Sequence, residues 1–433
     1  MTSVGSHRKR PKLTWSGKSS GKTPDLVRPE ALQLVRRYLE ASGEAESRDL
    51  AVAHDLELLQ RLGAVGDDGM LTNAAWWMFV GNGRPVIEYR LRGGHRELRM
   101  SGELSGLEQL TLVLDAVRRN NPEVRMPDWV EEETVPALSA QATREAVING
   151  VVHRDWSVSH ATEVEQEHRL GTLRVRSPGG FVGGFGEYNM FSRPQFPRNA
   201  HLMKLLKPLG LVEMRGAGIH RMVSGLVGHG QPAPTFREVE GSSVEVFLGG
   251  RPPDPAWQLW ISELGRPRVL EDHRLLLLLR RVADHRWIDI RTAARITHTN
   301  EFMARTLLRR LSSIKVSGAW FLVPVAGVPT EGPEVWTLSQ PAREGLTSLY
   351  DRVKLAMPGR DRQAVARSYV QSRGRLSTTE LGSILGISAA GAVPLIQKLE
   401  RIGVVQPAWA HRKGRGFHYV LKDPVSVEVS GEE

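Results

Sequence analysis

Pro252, Pro253 and Pro255 fall within four residues, and this cluster constrains the fold more than any other feature of the chain. Proline fixes φ near about −65° and has no N–H to donate, so neither a helix interior nor a central strand continues through such a run. The 433 residues therefore divide near position 251. At roughly 100 to 200 residues per domain the chain has room for about three domains with real cores.

Charge divides at the same place. The formal net charge is +10, from 58 Lys and Arg against 48 Asp and Glu. Residues 1–23 carry six basic and no acidic side chains, residues 251–433 carry 27 and 18, and residues 24–250 carry the remaining 25 and 30. A basic tail and a basic C-terminal half around a slightly acidic centre fit an electrostatic footprint on a polyanion, double-stranded DNA in the first place. The chain has no cysteine, which excludes disulfides, thiolate metal sites and thiol nucleophiles and suits a reducing cytosol. The longest unbroken apolar run, Ala74 to Val80, is far short of the ~18 residues of a membrane span. With no apolar stretch at the N-terminus to act as a secretory signal, a cytoplasmic location is expected.

Residues 1–23 read as a basic flexible tail, because Ser3 to Thr23 is rich in Ser, Gly, Lys and Arg with little apolar periodicity. Ser16 to Thr23 ends in the Gly-Lys-Thr of a phosphate-binding loop. However, Ser16 stands where that motif needs glycine, and Pro24 follows at once, so a working loop is not expected there. Residues 24–137 form a leader, with a helix from about Pro29 (Leu32, Val35, Leu39), another over Leu50 to Leu62, a turn at Asp67-Asp68-Gly69 and a helix over Leu107 to Val117. Residues 138–250 read as helix, strand, strand, loop, helix, strand, strand, an α+β layer arrangement. Two similar units follow, 251–340 and 341–425, each with three helices and a terminal β-hairpin, before an acidic tail at 426–433. In the first unit a β-like pair over Val316 to Val325 closes the domain. In the second, Ser377-Thr378-Thr379-Glu380 is a capping box, Gly386 makes a turn and Ser388 caps the third helix. Both units read as winged helix-turn-helix domains.

The chemistry concentrates on the helix around Ala142 to His153. Glu145, Asn149 and His153 stand at i, i+4 and i+8 and share one face among small and aliphatic neighbours. An Asn side-chain oxygen is a hard ligand suited to Mg²⁺ on phosphates, and a carboxylate beside it can orient or deprotonate water. The same spacing also fits a helix turning Gln141, Arg144, Glu145 and Asn149 to solvent. Downstream, Leu173 to Gly180 reads as a strand ending in a glycine turn at Gly179-Gly180. A Gly/Phe-rich loop follows, and Gly216-Ala217-Gly218 then opens a helix whose free N–H groups favour phosphate.

The succession of Arg144 to Trp156, Ser177-Pro178-Gly179-Gly180, Arg193-Pro194 with Arg198-Asn199, and Arg215 to Ile219 resembles a prokaryotic family of transcriptional regulators. These are often labelled RecG-like or Alba-and-ATPase proteins, and they carry a divergent GHKL-type ATP-binding domain. The leader from Leu71 through Val117 is also similar to that family, so the resemblance spans roughly residues 50 to 250. It implies a GHKL-like (Bergerat) α/β sandwich followed by two winged helices, with ATP and Mg²⁺ as ligands. Residue by residue, it makes Glu145 the general base and Asn149 the magnesium ligand. Gly179, Gly180, Gly216 and Gly218 become glycine-box residues, His153 and Arg154 neighbours of the phosphate tail, and 181–199 a nucleotide lid. Ser177-Pro178-Gly179-Gly180 departs from the D-x-G-x-G that reads adenine in typical GHKL ATPases. The family also commonly begins with an Alba-like domain of which Val4 to Arg10 would be the last strand, although these residues read more simply as tail.

In the first winged unit the reading helix, Glu301 to Leu311, presents Asn300, Arg305, Arg309 and Arg310, residue types that contact base edges bidentately. In the second, Ala389 to Glu400 has few polar side chains and a proline at 394. Its hairpin from Ala410 to Tyr419, with Arg412, Lys413 and Arg415, instead suits phosphate contact. Winged helices also serve as protein-docking modules. The leading expectation is an ATP-binding, DNA-binding transcriptional regulator, with a homodimer as the usual default. A Mg-dependent ATPase acting in DNA repair or defence, and a nucleotide-free scaffold for protein contacts, are the alternatives.

Overall fold

The proline cluster separates two compact units, one ending at Pro253 and the other starting at Asp254. The structure, a computed structural model, describes residues 14–42, 44–93, 100–126, 134–169, 171–184, 186–191, 197–212, 218–249, 252–264, 272–316, 318–357, 359–412, 414 and 416–422. The fold is mixed α+β in both units.

The first unit opens with α1 (Pro29–Ala41), α2 (Ala45–Ala51), α3 (Asp55–Arg61) and α4 (Asn73–Ala75), the last running into a widened turn over Trp76–Val80. Pro29 starts α1 where a helix N–H has no partner to lose. The Leu50 to Leu62 stretch, expected as one helix, breaks between α2 and α3 at Val52–His54. Strand β1 (Ile87–Arg92) and helix α5 (Gly106–Arg119) follow, α5 closed at its start by a capping box of Ser105 and Glu108. Then come β2 (Glu123–Arg125), β3 (Thr134–Pro136), α6 (Ala140–Val152), β4 (Thr162–Glu167), β5 (Thr172–Pro178), α7 (Ala200–Leu206), α8 (Gly218–Val227), β6 (Thr235–Val239) and β7 (Ser243–Gly249).

The sheet runs β1-β4-β5-β7-β6, antiparallel except for the parallel β1–β4 pair. Leu173, Val175, Val246 and Leu248 alternate into the core. Across the strands, Arg174 bridges Glu165 at 2.9 Å and Glu245 at 3.4 Å, and Arg237 meets Glu245 at 2.9 Å, cross-strand pairs of opposite charge that favour this register. The pairing of β1 with β4 changes the expected boundaries. Residues 24–137 are not a separate leader, because β1 is the edge of the same sheet and Gln109 on α5 accepts the Val86 N–H at 2.8 Å.

The basic tail is corrected too, from residue 14 onward. Trp15 stacks on Trp156 with centroids 4.5 Å apart, Ser16 is fully buried, and Ser19 forms a β-bridge with Thr72. Ser20 donates its N–H to Leu71 and accepts none of the role of a phosphate loop, since only a short turn, Pro24–Leu26, follows the Gly-Lys-Thr. The aromatic surface of Trp15 supplies the burial that the polar composition concealed. Val4 to Arg10, the suggested last strand of a preceding domain, lies outside the described residues.

The second unit repeats one pattern of helix, strand, helix, helix and hairpin. After α9 (Pro255–Glu263), the first repeat has α10 (His273–His285), β8 (Ile288–Asp289), α11 (Ile290–Ile296) and α12 (Glu301–Ser312). A small hairpin of β9 (Lys315–Val316) and β10 (Ala319–Trp320) comes next, then β11 (Leu322–Pro324), β12 (Val335–Leu338) and α13 (Gln340–Arg352). The closing pair is β11 with β12, not strands confined to Val316–Val325, and β8 adds to β12. The second repeat has α14 (Arg362–Arg373), β13 (Arg375–Leu376), α15 (Thr378–Leu385), α16 (Ala389–Arg401), β14 (Val405–Pro407) and β15 (Tyr419–Leu421), in sheet order β13-β15-β14. Its capping box at Ser377/Glu380, the left-handed Gly386 and the Ser388 cap all form as expected.

The repeats share a core. Trp287, Val325 and Val335 of the first are buried among Val365, Tyr369, Leu381 and Ile396 of the second, and the nearly buried Arg373 pairs with the buried Asp289 at 3.4 Å. Trp287→Ala should therefore cost about 3–5 kcal/mol, and it should raise amide hydrogen exchange across α14 to α16 as well as in its own repeat. Exchange confined to the first repeat would show that the two cores are independent.

Candidate functional site

Helix α6 is held at both ends. Ser139 accepts the Ala142 N–H at 3.3 Å at its start, and the buried Asn199 amide donates to the carbonyls of Val152 (2.7 Å) and Arg154 (2.9 Å) at its end. Gly150 lets the helix lie unusually near the sheet, since a Cβ there would come within 2.6 Å of Val175 Cγ1. Along the edge of this contact runs a cleft. Its walls are mostly apolar, with Val175, Val244, Val246, Ile219 and Phe236 among them, and its polar lining comes from Asn149, His153 and Ser177.

Asn149 reaches this cleft, and among the described residues its carboxamide has no hydrogen-bonding partner. Glu145 is instead buried and engaged: Arg221 on α8 meets its Oε1 at 2.5 and 2.7 Å. Gly218 at the start of α8 sits directly against both, for a Cβ there would be 2.6 Å from Glu145 Oε2 and 3.3 Å from Asn149 Nδ2. Three residues expected to work together are thus brought together. Gly216 lies outside the described residues. Arg221 was not anticipated, because one arginine on an amphipathic helix carries no sequence signal that distinguishes it from a solvated one.

Gly179 and Gly180 also line the cleft. Gly179 has φ of +95°, and its Cβ would strike Arg198 Nη1 and Asp155 Cβ at 2.6 and 2.7 Å, so only glycine fits there. Arg198 braces the turn, pairing with Asp155 at 2.8 Å and donating to the Gly180 carbonyl at 2.6 Å. Ser177, where the aspartate of the adenine-reading motif would stand, donates its hydroxyl to the Gly150 carbonyl at 2.6 Å. Phe181, Val182 and Met190 of the expected lid contribute to the lining, while its residues 192–196 lie outside the described set.

Arg154 has a different place from the one expected beside a phosphate tail. It is buried, donates to the carbonyls of Val86 (2.9 Å), Val158 (3.2 Å) and His160 (2.7 Å), and lies over the Trp156 ring. Burial first, and then Arg84, lowers its pKa to about 10, still protonated at neutral pH. Three carbonyls and an indole engage the two terminal nitrogens and the face of the cation, making it a structural clamp. His153 does line the cleft, and burial, aided by Arg198, pushes its imidazole down to about 4, so it is neutral near pH 7.

In the second unit the residues expected to meet DNA are largely committed elsewhere. Asn300 accepts the Met303 N–H at 2.8 Å as the α12 cap, Arg305 pairs with Glu334 at 3.3 Å, and Arg310 pairs with Asp272 at 3.1 Å. Arg309 is exposed. Arg412 binds both carboxylate oxygens of Glu400 at 2.8 and 3.1 Å. Lys413 and Arg415 lie outside the described residues. No group of three or more His, Asp and Glu able to hold a metal occurs among the described residues. No single described helix is long and apolar enough to cross a membrane.

Residues 171–248, from β5 through β7, match a family model described as "Putative ATP-dependent DNA helicase recG C-terminal". This stretch is RecG-like and ATPase-like, which supports nucleotide binding. The match starts downstream of α6, so Glu145 and Asn149 lie outside it. Comparison with curated proteins gives no match. Among solved structures, the DIP2311 protein from Corynebacterium diphtheriae is similar with a TM-score of 0.75 and 27% identity, over 96% of this chain and 71% of that one.

The shifted histidine gives the site a pH signature. Unfolded His153 takes up a proton near pH 6.5, whereas the folded chain refuses it until about pH 4. The stability held above pH 6.5 is therefore lost progressively as pH falls toward 4. Denaturation midpoints across this window should fall less steeply for His153→Gln than for the wild type, with a residual slope from His285 and His298, which are shifted in the same direction. Identical slopes would contradict the placement of His153.

Proposed function

We propose that the first unit binds a magnesium nucleotide, ATP above all, in the cleft beside α6, and that its nucleotide state governs DNA binding by two winged helix-turn-helix domains in the second unit. One observation carries this reading: Gly218 at the start of α8 is seated against Glu145 and Asn149, and the Asn149 carboxamide, without a hydrogen-bonding partner among the described residues, faces a mostly apolar cleft. A half-buried carboxamide facing the cleft keeps its oxygen available to a ligand.

The residues fit the group. The apolar walls suit a base and sugar, and Ser177, its proton committed to Gly150, can act toward a base only as an acceptor. Asn149 would hold the magnesium, and Gly218 would leave room for phosphates at the start of α8, since a helix N-terminus favours anions. Bound magnesium neutralises phosphate charge that this cleft otherwise meets with few cations, since Arg154, Arg198 and Arg221 all have protein partners. Of Glu145, the general base that the resemblance implies, Arg221 holds one oxygen and Gly218 lies against the other. That arrangement favours binding over rapid turnover. DNA binding is supported by the excess of 27 basic over 18 acidic residues in 251–433 and by the twice-repeated helix, strand, helix, helix, hairpin order.

Thermal denaturation with and without Mg-ATP tests the nucleotide reading. At about one hundred times Kd, a ligand confined to the folded state adds about 2.7 kcal/mol. The wild type should show a corresponding rise in Tm that needs magnesium, and Asn149→Ala should lose it while keeping its unliganded Tm. No rise with either ATP or ADP would reduce the cleft to scaffold.

A further inference from the structure

We infer that the hairpin between β14 and β15 is a stacking platform for an unpaired nucleobase, so that the DNA favoured by the second unit is a duplex with a single-stranded extension. The inference rests on the DNA-binding reading above and refines its substrate. It starts from what the unit lacks. Helix α16 exposes Ala389, Ala390, Gly391 and Pro394 along its first turns, none of which can hydrogen-bond a base edge. On α12, Asn300, Arg305 and Arg310 are occupied by a helix N–H, Glu334 and Asp272. The loop between β11 and β12, which would be a wing of the first repeat, packs on the second: Ala326 donates its N–H to Ser383 Oγ at 3.1 Å, and a Cβ on Gly327 would touch Thr379 at 2.9 Å. Of the residues expected to read base edges on α12, exposed Arg309 is left, so reading a duplex through side chains on base edges is poorly provided for.

What the unit does offer is an aromatic surface in a basic setting. Trp409 is 44% exposed. It meets Phe417 and His418 at steep angles, 78° and 89°, with Phe417 angled in turn against Tyr419, and no described ring lies flat upon it. Trp320, also exposed, differs in having the Lys315 ammonium over its ring at 4.8 Å. The Trp409 position is fixed, since the adjacent Ala408 donates its N–H to the His418 carbonyl at 3.1 Å and Arg412 is tied to Glu400 on α16. Residues 401–422 contain five Lys and Arg and no acidic residue, and exposed Lys398 extends the charge along α16. An exposed indole in a stretch of basic composition is what sequence-tolerant binding of unpaired bases uses, because every base has a face to stack while the phosphates supply the attraction.

The full chain is titrated into a fluorescent DNA duplex of about 20 base pairs, blunt or carrying an unpaired thymidine tail of about ten nucleotides. The wild type should bind the tailed duplex about tenfold more tightly. Trp409→Ala should bring the tailed duplex to the blunt level without weakening the blunt one, and Trp409→Phe should keep most of the preference. A 2-aminopurine placed in the tail should lose fluorescence on binding wild type and not on binding Trp409→Ala. An unchanged Tm for Trp409→Ala assures that the variant is folded. Equal affinity of the wild type for both DNAs, or a tail preference that survives Trp409→Ala, overturns the stacking platform and leaves duplex binding standing. Failure to bind either DNA removes both.

Discussion

The arrangement of the first unit depends on how closely α6 can approach the sheet. At Gly150 the backbone of the helix lies where any β-carbon would run into Val175, and interiors packed at crystal-like density do not absorb such an overlap cheaply. This close approach buries Ala146, Val147 and Val151, tilts Asn149 and His153 toward the cleft margin and puts Glu145 within reach of α8. Gly218 extends the same logic one helix further. The two glycines are thus distance-setting elements, and the polar residues between them acquire their geometry from backbone proximity.

Much of this was legible in the sequence. The spacing of Glu145, Asn149 and His153 placed them on one helical face, and the turn chemistry at Gly179, Gly386 and the Ser377 capping box formed as its residue types dictate. What could not be read was anything that needs distant partners. The parallel pairing of β1 with β4 joins residues 87–92 to 162–167, and no local pattern announces a partner more than seventy positions away. Likewise, Trp15 lies in a stretch whose composition is that of a basic tail, and it stacks on Trp156, which Trp77 and Arg154 meet in turn. Composition is a poor guide for a segment whose order rests on one large side chain with a remote site to fill.

Arginine shows the same limit from the side of charge. The sequence presents Arg154, Arg198, Arg305, Arg310 and Arg412 as equivalent cations. In the fold the first clamps three carbonyls, the second braces a glycine turn against Asp155, and the others meet Glu334, Asp272 and Glu400. Exposed pairs of this kind contribute little to stability, about 0–1 kcal/mol each, yet they decide which guanidinium groups are free to meet a ligand. A count of basic residues gives the long-range field of the unit, and pairing removes much of its short-range hydrogen-bonding capacity.

Field and contact therefore come apart in the second unit. Its net charge attracts a polyanion at distances set by the Debye length, about 8–10 Å at ordinary salt, and that attraction survives the internal ion pairs because each pair is neutral in sum. Specific contact requires unpaired donors or exposed faces at the surface where the polyanion arrives. The shared core of the two repeats restricts where that is, since it consumes the β11–β12 loop and joins Trp287 to Tyr369 with ring centroids 5.2 Å apart. Two copies of one pattern have thus become one body with unequal surfaces. The first repeat gives up its hairpin loop to the joint, and the second keeps an exposed indole, Trp409, on its hairpin. A repeated element order therefore does not bring equal surfaces with it: once two units share a core, the residues that seal the joint are no longer available to a ligand.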